Sequence, residues 1–228
     1  MALWSVQISH SPEEREGLSL LREMQGALSV AIQSLNDKAP PPTNVDCQYL
    51  QLAAAFVNRA ADGYLVLRDS FRVDASKLLV RPILEAVFKA AAVMKKTGFL
   101  TRLAYSEWEE EVKMFKHDPA AKAKAERELK EFKINFSQAN PGYPGDYSRA
   151  TTRQAATESG LKSLYDGTYA TYCAFVHAAL AAVDGRGVSQ TDDRDTEVMT
   201  CCVMIILELL SQYTSAQVPD LAPFRQRL

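Results

Sequence analysis

The chain has 228 residues and a net charge of -2, from 26 lysines and arginines against 28 aspartates and glutamates. This length suits one large domain or two small ones, and the charge balance argues against a protein that binds nucleic acid through overall positive charge. Hydrophobic residues make up 47% and charged residues 24% of the chain, which excludes a largely disordered protein.

Apolar residues recur at helical spacing along most of the chain, and capping residues mark the helix starts. Ser11 before Pro12 predicts the start of the first helix, and Asp118 before Pro119 opens a later one. No alternating strand pattern is found, so we predict an all-α protein, a single bundle of about six to seven helices. The predicted helices cover residues 11–37, 44–70, 74–96, 101–116, 118–133, 161–183 and 193–212, with room for a further short helix at 152–159.

The predicted domain organisation is a single helical domain over residues 1–228. Residues 98–147 are expected to form a protruding, charged helical hairpin with its loop, and residues 216–228 an irregular tail. Pro82 lies inside the third predicted helix, where it predicts either a kink or a restart of the helix, since proline removes a backbone hydrogen bond.

The cysteines and the N-terminus bear on the compartment. Cys47, Cys173, Cys201 and Cys202 lack the density and spacing of a disulfide framework, and the first residues lack the regions of a signal peptide. The most apolar stretch, 198–210, is shorter than the roughly 20 residues that a membrane span needs. We therefore expect a buried core helix there, no membrane association and a cytoplasmic protein.

Sequence motifs for cofactors and metals are not found. The chain has no phosphate-binding loop, no dinucleotide fingerprint and no zinc-protease or EF-hand pattern, and its three histidines lie far apart. We expect no cofactor and no metal. The basic residues of 122–133 alternate with glutamates, which weakens, without excluding, a nucleic-acid surface.

Two polar stripes interrupt segments that the pattern otherwise assigns to the core. Arg81 and Glu85 are four residues apart and therefore share a helix face. A second stripe repeats every four residues on the helix predicted at 161–183. Its members are Tyr165, Tyr169, Cys173 and His177. Because an unpaired buried charge is costly, we predict that the stripes meet in a small buried hydrogen-bonded network.

Two interpretations of this network stay open. In the first, it fixes the register of the helices around it. In the second, His177, titrating near neutral pH beside Arg81 and Tyr169, performs acid–base chemistry on an ester or phosphodiester.

The motif Arg81-Pro82-Ile83-Leu84-Glu85 and the later segment YDGTYATYCAFVH resemble a widespread family of uncharacterised all-helical bacterial proteins. That family carries R-x-[IL]-[LF]-E and a Tyr-rich helix with a small residue four before a histidine. The likeness covers about residues 50–183. Pro82 and Cys173 stand where serine is common. The resemblance implies the all-helical fold and the pairing of the two stripes, and it implies no agreed activity.

A weaker resemblance is to helical ribonucleases of the HEPN type, in which four to six residues separate an arginine from a histidine on one helix (R-x4-6-H). No arginine precedes His177 at that spacing. Folding would have to bring Arg81 to His177.

We expect a binding or interaction role, organised by Arg81, Glu85, Tyr169 and His177, with Tyr165 and Cys173 beside them. The alternative is a metal-independent ribonuclease or other hydrolase of a toxin or phage-defence system. There His177 is the general base, Arg81 stabilises the anion and Tyr169 positions the substrate. Expected partners are another protein, or a second copy docking through the apolar segment 198–210.

Overall fold

The computed structural model describes residues 10–37, 44–70, 73–176 and 192–227. Every regular element within these ranges is helical, so the predicted all-α fold is confirmed. We number the α-helices in chain order. They are α1 (Pro12–Asn36), α2 (Val45–Asp69), α3 (Val73–Lys95), α4 (Phe99–Met114), α5 (Pro119–Ala139), α6 (Thr152–Glu158), α7 (Lys162–Leu164), α8 (Ala170–Val176), α9 (Asp192–Tyr213) and α10 (Ala222–Arg225), with a π-helical turn (Tyr165–Tyr169) between α7 and α8.

The helix starts follow from local capping chemistry. The Ser11 hydroxyl accepts a hydrogen bond from the backbone amide of Glu14 at 3.0 Å, and α1 begins at Pro12 as predicted. The Asp118 carboxylate accepts from the amides of Ala120 and Ala121. Each cap satisfies amides that the first turn leaves without an intrahelical partner.

Helix α3 runs continuously through Pro82. The predicted restart at this proline is therefore wrong. Packing of the surrounding residues, with Val80, Ile83 and Leu84 fully buried, holds the helix together across the missing backbone hydrogen bond.

The chain divides into two compact units. The first comprises the described residues up to Val87 and those from Leu164 onward, and the second runs from Phe88 to Ser163. The single-domain organisation stays a prediction.

The core of the first unit is formed by α1, α2 and α9, which pack against one another. Their inward faces are apolar and are completely shielded from solvent. The residues include Leu21, Met24 and Leu28 of α1, Leu50 and Val57 of α2, and Met199, Val203, Ile206 and Leu207 of α9. Burial of this area from water is the main source of stability for the unit.

Among the described residues, one helical segment, Arg194–Tyr213, is long and apolar enough to cross a membrane by length and composition. A core helix meets the same criteria, and α9 packs on α1 and α2, as the prediction of a buried core helix for 198–210 requires.

The second unit contains a helical hairpin of α4 and α5 inside the segment predicted to form one. Half-buried rings connect the two helices, with the centroids of Trp108 of α4 and Phe132 of α5 6.2 Å apart. Within α5, Phe132 also packs on Phe136, with centroids 5.6 Å apart. The loop after α5 is fastened to α4, where the Thr101 hydroxyl donates to the carbonyl oxygen of Pro144 at 3.0 Å.

Two predicted elements differ from the structure. The helix predicted over 161–183 is interrupted by the π-helical turn, and its part from residue 177 on lies outside the described residues. The tail predicted to be irregular contains α10, whose first turn is capped by the Asp220 carboxylate. Arg227 of the tail pairs with Glu23 at 2.9 Å, an ion pair that holds the tail against α1.

Candidate functional site

The structure brings together most of the residues predicted to form a polar site. We call Arg81, Glu85, Tyr165, Tyr169 and Cys173 the Arg81–tyrosine cluster. Arg81 and Glu85 lie one turn apart on α3, and Arg81 Nε donates to Glu85 Oε1 at 3.0 Å. The Tyr169 hydroxyl donates to the same oxygen. The Glu85 carboxylate therefore joins α3 to the π-helical turn.

The tyrosines of this cluster pack on each other beside the guanidinium. The rings of Tyr165 and Tyr169 are stacked, with centroids 4.8 Å apart and planes inclined by 20°. The guanidinium carbon of Arg81 lies 5.7 Å from the centroid of the Tyr169 ring, a distance at which the cation is attracted to the ring face. Arg81 is thus held by a carboxylate and by an aromatic ring.

The π-helical turn provides this arrangement. Tyr165 and Tyr169 are the first and last residues of this turn, and residues four apart lie on one face of a helix. Short π-helical stretches are rare and often occur at functional sites. Gly167 lies in the middle of the turn, and its carbonyl oxygen accepts a hydrogen bond from Arg194 of α9 at 3.1 Å.

The Arg81–tyrosine cluster is half-buried, whereas the sequence predicts a buried network. The side chains of Arg81 and Glu85 are 21% and 27% exposed, and Tyr165 and Cys173 are also partly exposed. Tyr169, with 7% exposure, is the buried base of the cluster. The charged pair is accessible because α3 presents it at the edge of its buried face rather than inside it.

Burial and hydrogen bonding fix the protonation states in this cluster. Burial, followed by the hydrogen bond to Glu85, raises the pKa of Tyr169 well above its ordinary value. Burial alone lowers the pKa of Arg81, but its hydrogen bonds with Tyr169 and Glu85 outweigh that effect and raise it. At neutral pH, Tyr169 is therefore a hydrogen-bond donor and Arg81 a cation. Tyr169 cannot act as a general base in this state.

His177, the predicted general base, lies outside the described residues. Cys173, one position before it in the predicted stripe, is a partly exposed free thiol of α8. The structure thus brings five of the six predicted site residues together.

A second polar site, which the sequence analysis missed, lies in the first unit. We call it the buried polar cluster. It consists of Glu14 of α1, Tyr64 and Arg68 of α2, Tyr172 of α8, and Asp195 and Thr196 of α9. Arg68, Tyr64, Tyr172, Asp195 and Thr196 are all 2% exposed or less.

The members of the buried polar cluster connect four helices. Arg68 forms an ion pair with Glu14, and its guanidinium carbon lies 5.9 Å from the centroid of the Tyr64 ring. The Tyr64 hydroxyl is 3.1 Å from the Thr196 hydroxyl, and the Tyr172 hydroxyl donates to Asp195. Buried polar groups need such partners, because a buried group without one is costly.

Tyr172 has its pKa raised far above the ordinary value, first by burial and then by the negative charge of Asp195. The raised pKa keeps the phenol protonated, so that its hydroxyl donates a hydrogen bond to the Asp195 carboxylate. The spacing of Tyr64 and Arg68, four residues apart on α2, is the sequence signal that would have indicated this cluster, just as it did for Arg81 and Glu85.

A cavity of about 300 Å³ opens beside the buried polar cluster. Glu14 and Thr196 connect the cavity to the cluster. Its rim is acidic, with Glu13, Glu16 and Glu197. Among the residues that the structure describes, no group of three histidine, cysteine, aspartate or glutamate side chains is placed to hold a metal ion.

The fold and the two clusters define an all-helical protein whose helices are connected by arginine–carboxylate–tyrosine contacts. The chain belongs to DUF5677, a family of unknown function whose sequence model matches residues 49–195. That range contains the whole Arg81–tyrosine cluster, and every member of the buried polar cluster except Glu14 and Thr196. Comparison with curated proteins and with solved structures finds no match to either.

Proposed function

We propose that the chain is a binding protein that recognises another protein through a patch formed by Arg81, Tyr165 and Tyr169. The observation that carries this proposal is a partly exposed arginine held over a stacked tyrosine pair. Arginine and tyrosine are enriched among the residues that dominate protein–protein binding. Their combination on an accessible surface is therefore typical of an interaction site.

The fixed geometry of the patch supports the same proposal. Glu85 accepts hydrogen bonds from both Arg81 and Tyr169, so neither side chain has much rotational freedom left to lose. Side chains that are ordered before binding reduce the entropic cost of association. The R-x-[IL]-[LF]-E motif then has a physical role, because its first and last residues set the position of the patch.

Photo-crosslinking tests the binding role. A photoreactive phenylalanine derivative replaces Tyr165 in the full chain, and the matched control carries it at Tyr213, a tyrosine that is 39% exposed elsewhere in the first unit. We expect a crosslinked protein from position 165 and not from position 213. This crosslinked product should disappear when Arg81→Gln is added. The purified protein should then bind the wild-type chain in calorimetry. The same products from both positions would contradict the proposal.

The second candidate function is the metal-independent ribonuclease or hydrolase. One observation favours it: Arg81 contacts the segment that leads through Cys173 toward His177, as a catalytic pair assembled by folding requires. The resemblance to HEPN-type ribonucleases belongs with this candidate. One observation favours binding instead, because Glu85 already engages Arg81.

A cleavage assay separates the two candidates. A labelled single-stranded RNA is incubated with the chain in EDTA, and His177→Ala is compared with His117→Ala, which changes an exposed histidine in the turn between α4 and α5. A hydrolase loses cleavage with the first substitution and keeps it with the second. No cleavage by the wild type, or equal cleavage by both variants, removes this candidate.

The setting of the protein is part of the proposal. We propose a bacterial, cytoplasmic protein, and the four free cysteines agree with a reducing compartment. Self-association through residues 198–210 is a weaker proposal, because most apolar side chains of this segment are buried within the chain itself.

A further inference from the structure

We propose that the outward face of α2 is a homodimer interface in which two copies of the chain pack α2 against α2 in antiparallel orientation. The proposal rests on the exposed seam of α2, which comprises Leu52, Phe56, Arg59, Gly63 and Val66. It concerns a different surface from the Arg81–tyrosine patch.

Three members of the seam are apolar side chains that are exposed on a helix whose opposite face is buried. Leu52, Phe56 and Val66 are 71%, 45% and 56% exposed. The seam residues are spaced alternately by four and three positions, which is the repeat with which one helix packs along another. At Gly63 the side chain of Leu79 of α3 lies 3.5 Å from the position that a Cβ would occupy, so the open part of the seam is formed by its other members.

The charges on this face specify a second copy as the occupant. Arg59 and Asp62 are exposed, and neither side chain forms a hydrogen bond or ion pair with another described residue. In an antiparallel pair of α2 helices centred between Ala60 and Ala61, Arg59 of each copy lies opposite Asp62 of the other. The two-fold axis therefore generates two reciprocal ion pairs from one arginine and one aspartate.

The same alignment pairs the apolar positions. Val66 of the second copy falls between Leu52 and Phe56 of the first, and the symmetric contact repeats at the other end. Beside Leu52, a groove of about 330 Å³, lined by Ile32 and Ala55 among others, extends the apolar surface toward α1. The face is thus self-complementary in shape, polarity and charge, as an isologous interface must be.

Sedimentation velocity on the full chain over a range of concentrations tests the interface by charge exchange. Arg59→Glu and Asp62→Arg each place like charges opposite one another at two positions, and each should weaken dimerisation by about tenfold. The double variant R59E/D62R restores both opposite-charge pairs, so its dissociation constant should return to near the wild-type value.

Two comparisons test whether the interface lies on α2: Phe56→Ser with Val30→Ser, and Arg59→Glu with Arg153→Glu. Phe56→Ser should weaken the dimer, whereas Val30→Ser, which removes a 61% exposed valine from α1 outside the seam, should not. Arg153→Glu, at an exposed arginine of the second unit, controls for net charge. Thermal unfolding verifies that the variants are folded, since all these positions are exposed.

A chain that is monomeric at every concentration overturns the proposal. A dimer that is insensitive to Arg59→Glu and Phe56→Ser overturns the assignment to α2. If both single variants are folded monomers and the double variant R59E/D62R is also a monomer, Arg59 does not pair with Asp62 across the interface.

Discussion

The ion pair between Arg68 and Glu14 predicts unequal effects for the removal of its two partners. Arg68 is fully buried, whereas Glu14 is 13% exposed and lines the open cavity. Glu14→Ala therefore leaves the Arg68 guanidinium inside the protein without the Glu14 carboxylate. Arg68→Met leaves a carboxylate that keeps its contact with His10 at 2.7 Å and that water in the cavity can solvate. The first substitution should be the more destabilising one.

The magnitudes follow from this geometry. Removing one partner of a buried ion pair costs about 3–5 kcal/mol. In a chain of this size, 1 kcal/mol shifts the melting temperature by about 2–4 °C, so Glu14→Ala should lower it by roughly 6–20 °C. Losing a hydrogen bond to a charged group costs about 1.5–3 kcal/mol, which is the expected range for Arg68→Met.

Urea and thermal unfolding followed by far-UV circular dichroism measure these differences. The double variant E14A/R68M should be more stable than Glu14→Ala alone, because it no longer buries the Arg68 guanidinium without the Glu14 carboxylate. Glu13→Ala is the matched control, an adjacent glutamate on the same cavity rim, and should change stability by less than about 0.5 kcal/mol. An effect of Arg68→Met larger than that of Glu14→Ala would refute the reasoning.

Three further predictions concern a hydrogen bond, a glycine and the alkaline limb of the pH profile. Tyr169→Phe removes the hydroxyl that donates to the carboxylate of the Arg81–tyrosine cluster and should cost about 1.5–3 kcal/mol in urea unfolding; no loss would show that this hydrogen bond contributes no net stability. Gly98→Ala should destabilise more than Gly142→Ala, since both glycines have φ of +84° but only Gly98 has a proline carbon 2.9 Å from the added methyl group; equal losses would mean that the left-handed backbone alone sets the cost. The pKa values of Cys202 and Tyr172 are raised in the folded chain. As pH rises above the ordinary pKa values of 9.0 and 10.0, these groups therefore lose their protons in the unfolded chain before they lose them in the folded chain. Stability should therefore fall as pH rises through this range, by up to about 1.4 kcal/mol per pH unit for each group, and Tyr172→Phe should flatten the profile above pH 10.

Helix starts were predictable because their determinants are local. Ser11 and Asp118 sit directly before a proline, and each caps the helix that the sequence places there. A side chain that caps the first turn acts on amides two or three residues away. No tertiary contact is needed to read such a signal.

The Arg81–tyrosine cluster was partly predictable for a different reason. Polar residues on an otherwise apolar helix face require partners, and helical spacing shows which residues share a face. That argument matched Arg81 and Glu85 with Tyr169, and these contacts are present. It overestimated the burial of the charged pair, because spacing indicates a face and not how far that face extends to the surface.

The buried polar cluster was missed because helical periodicity treats tyrosine as an apolar residue. Tyr64 and Tyr172 fit the apolar stripes of their helices, yet their hydroxyls contact Thr196 and Asp195. Arg68 lies near the end of α2, a position where a basic side chain ordinarily interacts with the helix terminus in solvent. Its burial results from the packing of α1 against α2, which the pattern of a single helix does not contain.

The π-helical turn connects the two clusters. Tyr169 ends the turn and contacts Glu85, while Tyr172, three residues later on α8, contacts Asp195. Tyr169 and Tyr172 are only three residues apart and contact different carboxylates, so one short segment joins the half-exposed cluster to the buried one. The buried contact of Tyr172 fixes the rotation of α8, and that rotation in turn determines where Tyr169 meets Arg81. The accessible patch is therefore held in place from inside the protein.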